Sequence, residues 1–126
     1  MEEKIKLFTD LYAWQAGHMV VLSIYKITRG VPKKEQFGLT NQIRRAAVSI
    51  TSNIAEGFSR TSYKEKTQFY AIALGSLTEV QNQLLIAKDI LYISQENFTI
   101  ISSETIKTSK LINGLIKHSK TLIHTS

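Results

Sequence analysis

Residues 38–57 read GLTNQIRRAAVSITSNIAEG, and this stretch determines the fold class more strongly than any other part of the chain. Its apolar side chains recur every three or four residues, which is typical of a helix with one face against a core. They are Leu39, Ile43, Ala46, Ala47, Ile50 and Ile54. Thr40 is predicted to cap the start of this helix, and Gly57 to close it in a left-handed conformation.

The helix before this one carries two apolar stripes and is predicted to run from Thr9 or Asp10 to Arg29. The stripe assigned to the core comprises Leu11, Trp14, His18, Val21 and Tyr25. Roughly opposite lie Ala13, Ala16, Val20, Ile24 and Ile27. Because a helix that is apolar on two sides is buried on two sides, the second stripe is expected to meet another subunit.

Two more helices follow in the C-terminal half. The third begins at Ser62, which forms a capping box with Glu65, and reaches about Leu91. The fourth runs from Ser94 through Ile123, and its end is expected to fray because small polar residues interrupt its apolar seam. These residues are Thr105, Thr108 and Ser119.

Short loops between consecutive long helices imply antiparallel neighbours. We therefore predict an all-α fold, a single-domain antiparallel up-down-up-down four-helix bundle over residues 1–126. The loop at residues 30–38 contains the only proline, Pro32, and separates the first two helices. The predicted core includes Trp14, Val21, Ile43, Ile50, Ile54, Phe69, Leu77, Val80 and Leu84.

The charge balance favours an anionic partner. Sixteen basic against ten acidic residues give a net charge of +6, for which nucleic acid is the first candidate and a membrane surface the second. The alternative is that the charge serves solubility alone. The absence of cysteine excludes disulfides and thiolate metal sites. The charged start of the chain lacks an apolar region behind it, and no apolar run is long enough to span a membrane. A cytoplasmic protein without a membrane partner is expected.

Catalytic patterns are missing from the sequence. No glutamate is followed three residues later by histidine, as a di-metal centre in a bundle requires. The three histidines accompany no nucleophile and carboxylate that would complete a triad. His18 is interpreted as a hydrogen-bonded structural residue, and we predict a protein with no enzymatic activity, no metal and no cofactor.

The polar side of the helix at 38–57 is the main candidate site. Its small residues leave a low surface that another backbone can approach, and acidic residues there can accept an arginine from a neighbour. A subunit interface is the favoured interpretation, with nucleic-acid contact and a plain solvated surface as alternatives. The interface candidates are Arg45, Val48, Ser49, Ser52, Asn53, Ala55, Glu56 and Glu79.

Basic residues are expected to gather at the end of the bundle that contains the loop between the first two helices. Binding there is predicted to be electrostatic and independent of sequence, because no aromatic stacking platform or RNA-binding motif accompanies the charge. The nucleic-acid candidates are Arg29, Lys33, Lys34, Arg44 and Arg45. Arg44 and Arg45 can serve either this site or the interface.

Several blocks of the chain resemble the bacterial four-helix-bundle family, also called the 23S rRNA intervening-sequence protein family. The most specific in combination are Gln42-Ile43-Arg44-Arg45-Ala46 and Asn53-Ile54-Ala55-Glu56-Gly57. The others are Phe8, Asp10-Leu11, Trp14, Tyr25, Pro32, Glu35 to Thr40, Ser49-Ile50, Arg60, Gly75-Ser76 and Glu79.

This resemblance implies an antiparallel bundle that assembles into a ring-shaped homopentamer. Some family members are encoded in spacers of ribosomal RNA genes, and a related branch includes the accessory protein of diversity-generating retroelements, which binds nucleic acid and a reverse transcriptase. The expected function is therefore a homo-oligomeric, non-enzymatic accessory or scaffold for RNA or DNA, with a reverse transcriptase or another protein as a possible partner. The alternative is an assembly module that binds only protein.

Overall fold

The computed structural model describes residues 4–125, which form four helices and no strand. The helices are α1 (Tyr12–Thr28), α2 (Leu39–Ser59), α3 (Tyr63–Asp89) and α4 (Gln95–Thr121). Short 3-10 turns occur at Phe8–Asp10, Lys33–Glu35 and Ile123–Thr125.

Each helix packs against two neighbours in the cyclic order α1–α2–α3–α4. Contacts at two levels show that α2 is antiparallel to both α1 and α3. Arg44 donates to Thr28 near one end of the α1–α2 pair, and Thr51 lies beside Gly17 further along. Ser49 and Ser76 are 2.8 Å apart, and Gly57 lies beside Tyr70 further along α2. The all-α four-helix fold predicted from the sequence is confirmed.

The core is continuous along the bundle and consists mainly of aliphatic side chains. Six of the nine predicted core residues are buried, namely Ile43, Ile50, Ile54, Leu77, Val80 and Leu84. The prediction was wrong for Trp14, Val21 and Phe69, which are only half-buried. Trp14 and Val21 pack against the edge of the core, because they lie at the side of α1.

The two stripes of α1 are reversed relative to the prediction. The buried residues are Ala13, Gly17, Val20, Ile24 and Thr28, which include much of the stripe that was assigned to another subunit. The stripe assigned to the core is half-buried, except that Tyr25 is exposed. Gly17 explains why this stripe is the buried one, because a Cβ at residue 17 would lie 3.2 Å from Thr51 Cγ2. This small residue lets α1 approach α2 closely.

Both predicted ends of α2 were wrong. Gly38 occupies the N-cap position, Thr40 is buried within the helix, and the Leu39 N–H lies 3.4 Å from a carboxylate oxygen of Glu35. Gly57 has no positive φ and the helix continues to Ser59. Its lack of a side chain serves packing instead, because a Cβ at Gly57 would come within 2.8 Å of the Tyr70 ring.

The predicted N-caps of α3 and α4 are confirmed. Ser62 accepts a hydrogen bond from the Glu65 N–H, and Ser94 accepts one from the Asn97 N–H. Helix α4 continues to Thr121, two residues before the predicted end at Ile123. Its three small polar residues are all buried, and the two threonine hydroxyls donate to carbonyls of their own helix.

Helix α3 ends in a Schellman motif that holds Leu91 in a left-handed conformation with a φ of 65°. The Tyr92 N–H donates to the Ala87 carbonyl at 2.9 Å, and the Leu91 N–H donates to the Lys88 carbonyl at 3.0 Å. Glycine is the usual residue at this position, since a Cβ costs about 1–2 kcal/mol in the left-handed region. The Leu91 side chain is 88% exposed, so packing offsets little of that cost.

We therefore expect Leu91→Gly to raise the free energy of unfolding by roughly 0.5–1 kcal/mol. This value is the strain that glycine relieves minus the backbone entropy that glycine loses on folding. Leu91→Ala is the matched control, because it removes the same exposed side chain and keeps the Cβ. Urea denaturation of the three proteins measures the difference. A gain for alanine equal to that for glycine would contradict the explanation by strain.

Candidate nucleic-acid interface and subunit faces

One end of the bundle contains the C-termini of α1 and α3 and the N-termini of α2 and α4. We call it the basic end, and its exposed cations are Lys26, Arg29, Lys33, Lys34 and Arg45. None of these five forms an ion pair with any residue between 4 and 125. Four of the five predicted nucleic-acid residues are thus exposed at or near this end.

Three acidic residues lie near this end, namely Glu35, Asp89 and Glu96, and none of them forms an ion pair with the five exposed cations. Glu35 turns inward and accepts a hydrogen bond from the Tyr92 hydroxyl at 3.0 Å, which raises the pKa of Tyr92. Asp89 pairs with Lys88 at 3.5 Å, and the Lys88 ammonium also lies 4.7 Å from the centroid of the Phe98 ring. The exposed cations of the basic end therefore remain available to an anion.

Arg44, the fifth predicted nucleic-acid residue, is fixed against α1. Its Nε donates to the Thr28 hydroxyl at 2.8 Å, and its guanidinium lies 4.7 Å from the centroid of the Tyr25 ring. This cation–π contact explains why Arg44 is half-buried while Arg45 is exposed. The two adjacent arginines are thus not equivalent, and only Arg45 extends freely from the surface.

An open depression of about 610 Å³ brings several predicted residues together on the outside of α2. Its lining combines Arg44, Arg45, Val48, Ser49 and Ser52 with Tyr25 and Asn41. The last two were not among the residues predicted from the sequence. Tyr25 was assigned to the core because α1 is apolar on two sides, and the sequence contains no further signal that distinguishes them.

Ser49 and Asn53 are held within the protomer. The Asn53 amide donates to the Ser49 carbonyl at 2.8 Å and lies 3.0 Å from the Ser49 hydroxyl, one helical turn away. Glu56 pairs with its own Arg60 at 2.7 Å. Glu79 is exposed and makes no ion pair with the residues that the structure describes.

Two opposite sides of the bundle expose apolar side chains. The α2–α3 face carries Ile72 beside the small residues Ser49, Ser52 and Gly75, whereas Val48 lies with Tyr25 and Arg44 on the α1 side of α2. Nothing lies within 4 Å of the place where a Gly75 Cβ would be, so the surface at this glycine is open. The α1–α4 face carries Met19, Leu22 and Ile100, which are all about half exposed. The two faces lie on opposite sides because α1 and α4 form one pair of the bundle and α2 and α3 the other.

The α1–α4 face also contains a groove of about 380 Å³. Its polar residues include Lys26 and Glu104, and the Ser23 hydroxyl lies 2.9 and 3.0 Å from the two carboxylate oxygens of Glu104. Ile27, Ile100 and Ile101 provide its apolar lining. The α1–α4 face therefore combines exposed apolar side chains with a groove.

The structure assembles no metal-binding cluster of histidine, aspartate or glutamate within residues 4–125. His18 is stacked on Trp14 with ring centroids 4.7 Å apart, and its ring has no hydrogen-bond partner among those residues. The predicted hydrogen bond of His18 was therefore wrong, although the residue is half-buried as part of an aromatic contact. None of the helices in the described part of the chain has the length and hydropathy needed to cross a bilayer.

These features define a class of protein: a four-helix bundle with a basic end and two opposed apolar faces. The family model of the 23S rRNA-intervening sequence protein matches residues 9–114, and the chain belongs to that family. The resemblance identified from the sequence is thereby confirmed.

A solved structure with the same fold is that of a protein of unknown function from the S23 ribosomal protein family of Bacteroides thetaiotaomicron. The two share 24% sequence identity with a TM-score of 0.76, and the match covers 83% of this chain and 95% of that one. Among curated proteins, none matches this chain.

Proposed function

We propose that the protein is a non-enzymatic homo-oligomer that binds nucleic acid through its basic end and acts as an accessory or scaffold. The observation that carries this proposal is the group of exposed cations at that end, none of which has an acidic partner between residues 4 and 125. A phosphate backbone is the partner that such a group fits best, because binding releases condensed counterions. The name of the family, which refers to a sequence within 23S rRNA, is consistent with this partner.

Assembly would strengthen the binding. A single basic end offers only a few phosphate contacts, for which non-specific dissociation constants of about 10⁻⁴–10⁻⁶ M at physiological salt are typical. A ring places several copies of the end side by side, and each further contact with the same strand is then intramolecular. The family resemblance implies five copies.

The two opposed faces support assembly by a head-to-tail contact. Met19 and Leu22 project from the α1–α4 face, whereas Gly75, Ser49 and Ser52 leave the α2–α3 face low. A protruding apolar surface fits a low one better than it fits a second copy of itself. Contact between unlike faces is heterologous, and it produces a ring when the rotation between subunits closes.

We expect Lys33→Glu with Lys34→Glu to weaken nucleic-acid binding at least tenfold at about 50 mM salt and to reduce the salt dependence by about two phosphate contacts. The measurement is fluorescence anisotropy with labelled single-stranded RNA and duplex DNA at several salt concentrations. Assembly should not change, because both lysines are exposed loop residues outside the two faces.

The matched control is Lys117→Glu with Lys120→Glu, which makes the same change in net charge at the opposite end of the bundle. Equal losses of nucleic-acid affinity in the two double variants would show that only the overall charge matters. If the wild-type protein binds neither probe at about 50 mM salt, where electrostatic binding is strong, the alternative of a protein-only assembly module becomes the better proposal. A reverse transcriptase would then be one protein partner to test.

A further inference from the structure

Phe37 is the most unusual side chain of the basic end. It is 86% exposed, and it forms no aromatic or cation–π contact with the described part of the chain. Burying a phenylalanine contributes about 1.5–3 kcal/mol to folding, and this ring forgoes nearly all of it. The side chain therefore does little for the stability of the bundle and is available to a partner.

The loop that carries Phe37 is held by hydrogen bonds on both sides of it. The Gln36 N–H donates to the Lys33 carbonyl at 3.0 Å, and the Gly38 N–H donates to the Glu35 carbonyl at 3.0 Å. The side chain of Glu35 is in turn bound by Tyr92, which lies beyond the end of α3. The ring thus extends from a structured turn, close in sequence to Lys33 and Lys34 and at the same end of the bundle.

We propose that Phe37 stacks on an unpaired base while Lys33 and Lys34 contact the adjacent phosphates, so that the basic end selects single-stranded nucleic acid over duplex. This inference rests on the proposed function. Aromatic rings and cations along one groove or edge are the usual means of binding single strands without sequence preference. Charge alone would favour duplex, whose higher charge density releases more counterions per contact.

A bilayer surface fits these residues less well. Shallow insertion into a membrane is driven by buried apolar area, and Phe37 is flanked in the loop by Lys34, Gln36 and Gly38 rather than by further apolar side chains. A base requires only one ring face, which Phe37 provides. Single-stranded RNA or DNA is therefore the partner that the loop matches, and a membrane is an outcome of the test.

The test compares a single strand of about 12 nucleotides with a duplex of the same length, a size within the range of sites known for single-strand-binding domains. Phe37→Leu keeps an apolar side chain without a ring, and we expect it to reduce single-strand affinity roughly five- to a hundredfold. Duplex affinity and the salt dependence should stay the same. Phe37→Trp should retain single-strand binding, and Leu91→Ala, which removes another exposed apolar residue of this end, should have no effect.

Three results would overturn the inference while leaving the proposed function intact. They are single-strand binding that Phe37→Leu does not alter, a change in oligomer mass caused by that variant, and a Phe37-dependent binding to phosphatidylserine vesicles without any effect on nucleic acid. Failure of the wild-type protein to bind either probe would overturn both. The stacking inference and the proposed function can be separated. If the Lys33→Glu and Lys34→Glu double variant weakens binding and Phe37→Leu does not, the electrostatic site is supported and the stacking is refuted.

Discussion

Met19→Arg and Ile72→Arg are each expected to abolish assembly, whereas an equimolar mixture of the two variants is expected to form a heterodimer of one chain each. Met19 lies on the α1–α4 face and Ile72 on the α2–α3 face. Each variant keeps one intact face, and the mixture contains one complete pair of unlike faces. Further growth stops because both remaining faces carry the arginine.

The effect should be large because a charge placed within an apolar contact loses its hydration without gaining a partner. A typical subunit contact buries about 800 Å² per partner. A subunit in a ring makes two such contacts, which together would cover about a fifth of the 8002 Å² accessible surface of the chain. Both side chains are about half exposed in the protomer, so the variants should still fold.

Light scattering at micromolar concentration measures the masses against the 14.3 kDa of one chain. A wild-type mass of one chain would refute the proposed assembly. If only one of the two variants loses assembly, the contact is isologous through a single face. Lys110→Glu is the surface control, and Arg45→Glu should weaken assembly more than this control because Arg45 borders the α2–α3 face.

Much of the fold could be predicted from helical periodicity and from the residues that begin helices. Ser62 and Ser94 were recognised because a serine N-cap is a local signal that requires no knowledge of the partner helix. The side of α1 that faces the core could not be predicted in this way. Both of its stripes are apolar, and the buried one was selected by the close approach of Gly17 to α2, which is a tertiary contact.

The candidate site was predictable in composition and less so in geometry. Charge and topology place Arg29, Lys33 and Lys34 at one end, as expected from the sequence. The different positions of Arg44 and Arg45 depend on Tyr25, a residue on another helix, and no local pattern reveals that contact. A stacking platform could not be predicted either, because the sequence around a lone Phe37 in a loop is the same whether its ring is buried or exposed.

Gly57→Ala is expected to lower the free energy of unfolding by about 1–3 kcal/mol, although alanine is the better helix former. An added Cβ would lie 2.8 Å from Tyr70 Cε1 and 2.9 Å from Phe69 Cβ. Tyr70 is itself buried, so its ring has little freedom to move away, and the same burial raises its pKa to about 12. The strain therefore outweighs the gain in helix propensity of about 1 kcal/mol.

Gly114→Ala is the control for this comparison, because Gly114 lies within α4 and has nothing within 4 Å of its added Cβ. It should raise the free energy of unfolding by up to about 1 kcal/mol. Urea denaturation in the Met19→Arg background removes any contribution from assembly. The signs of the two changes test the packing: if Gly57→Ala stabilises the protein as Gly114→Ala does, the contact of α2 with Tyr70 is looser than the structure indicates.

The role first predicted for Gly57, a left-handed helix end, would also make alanine destabilising. A circular-dichroism spectrum cannot separate these two explanations, but Gly57→Asn can. Asparagine tolerates a left-handed conformation yet is too large for the space beside Tyr70, so it should be more destabilising than alanine.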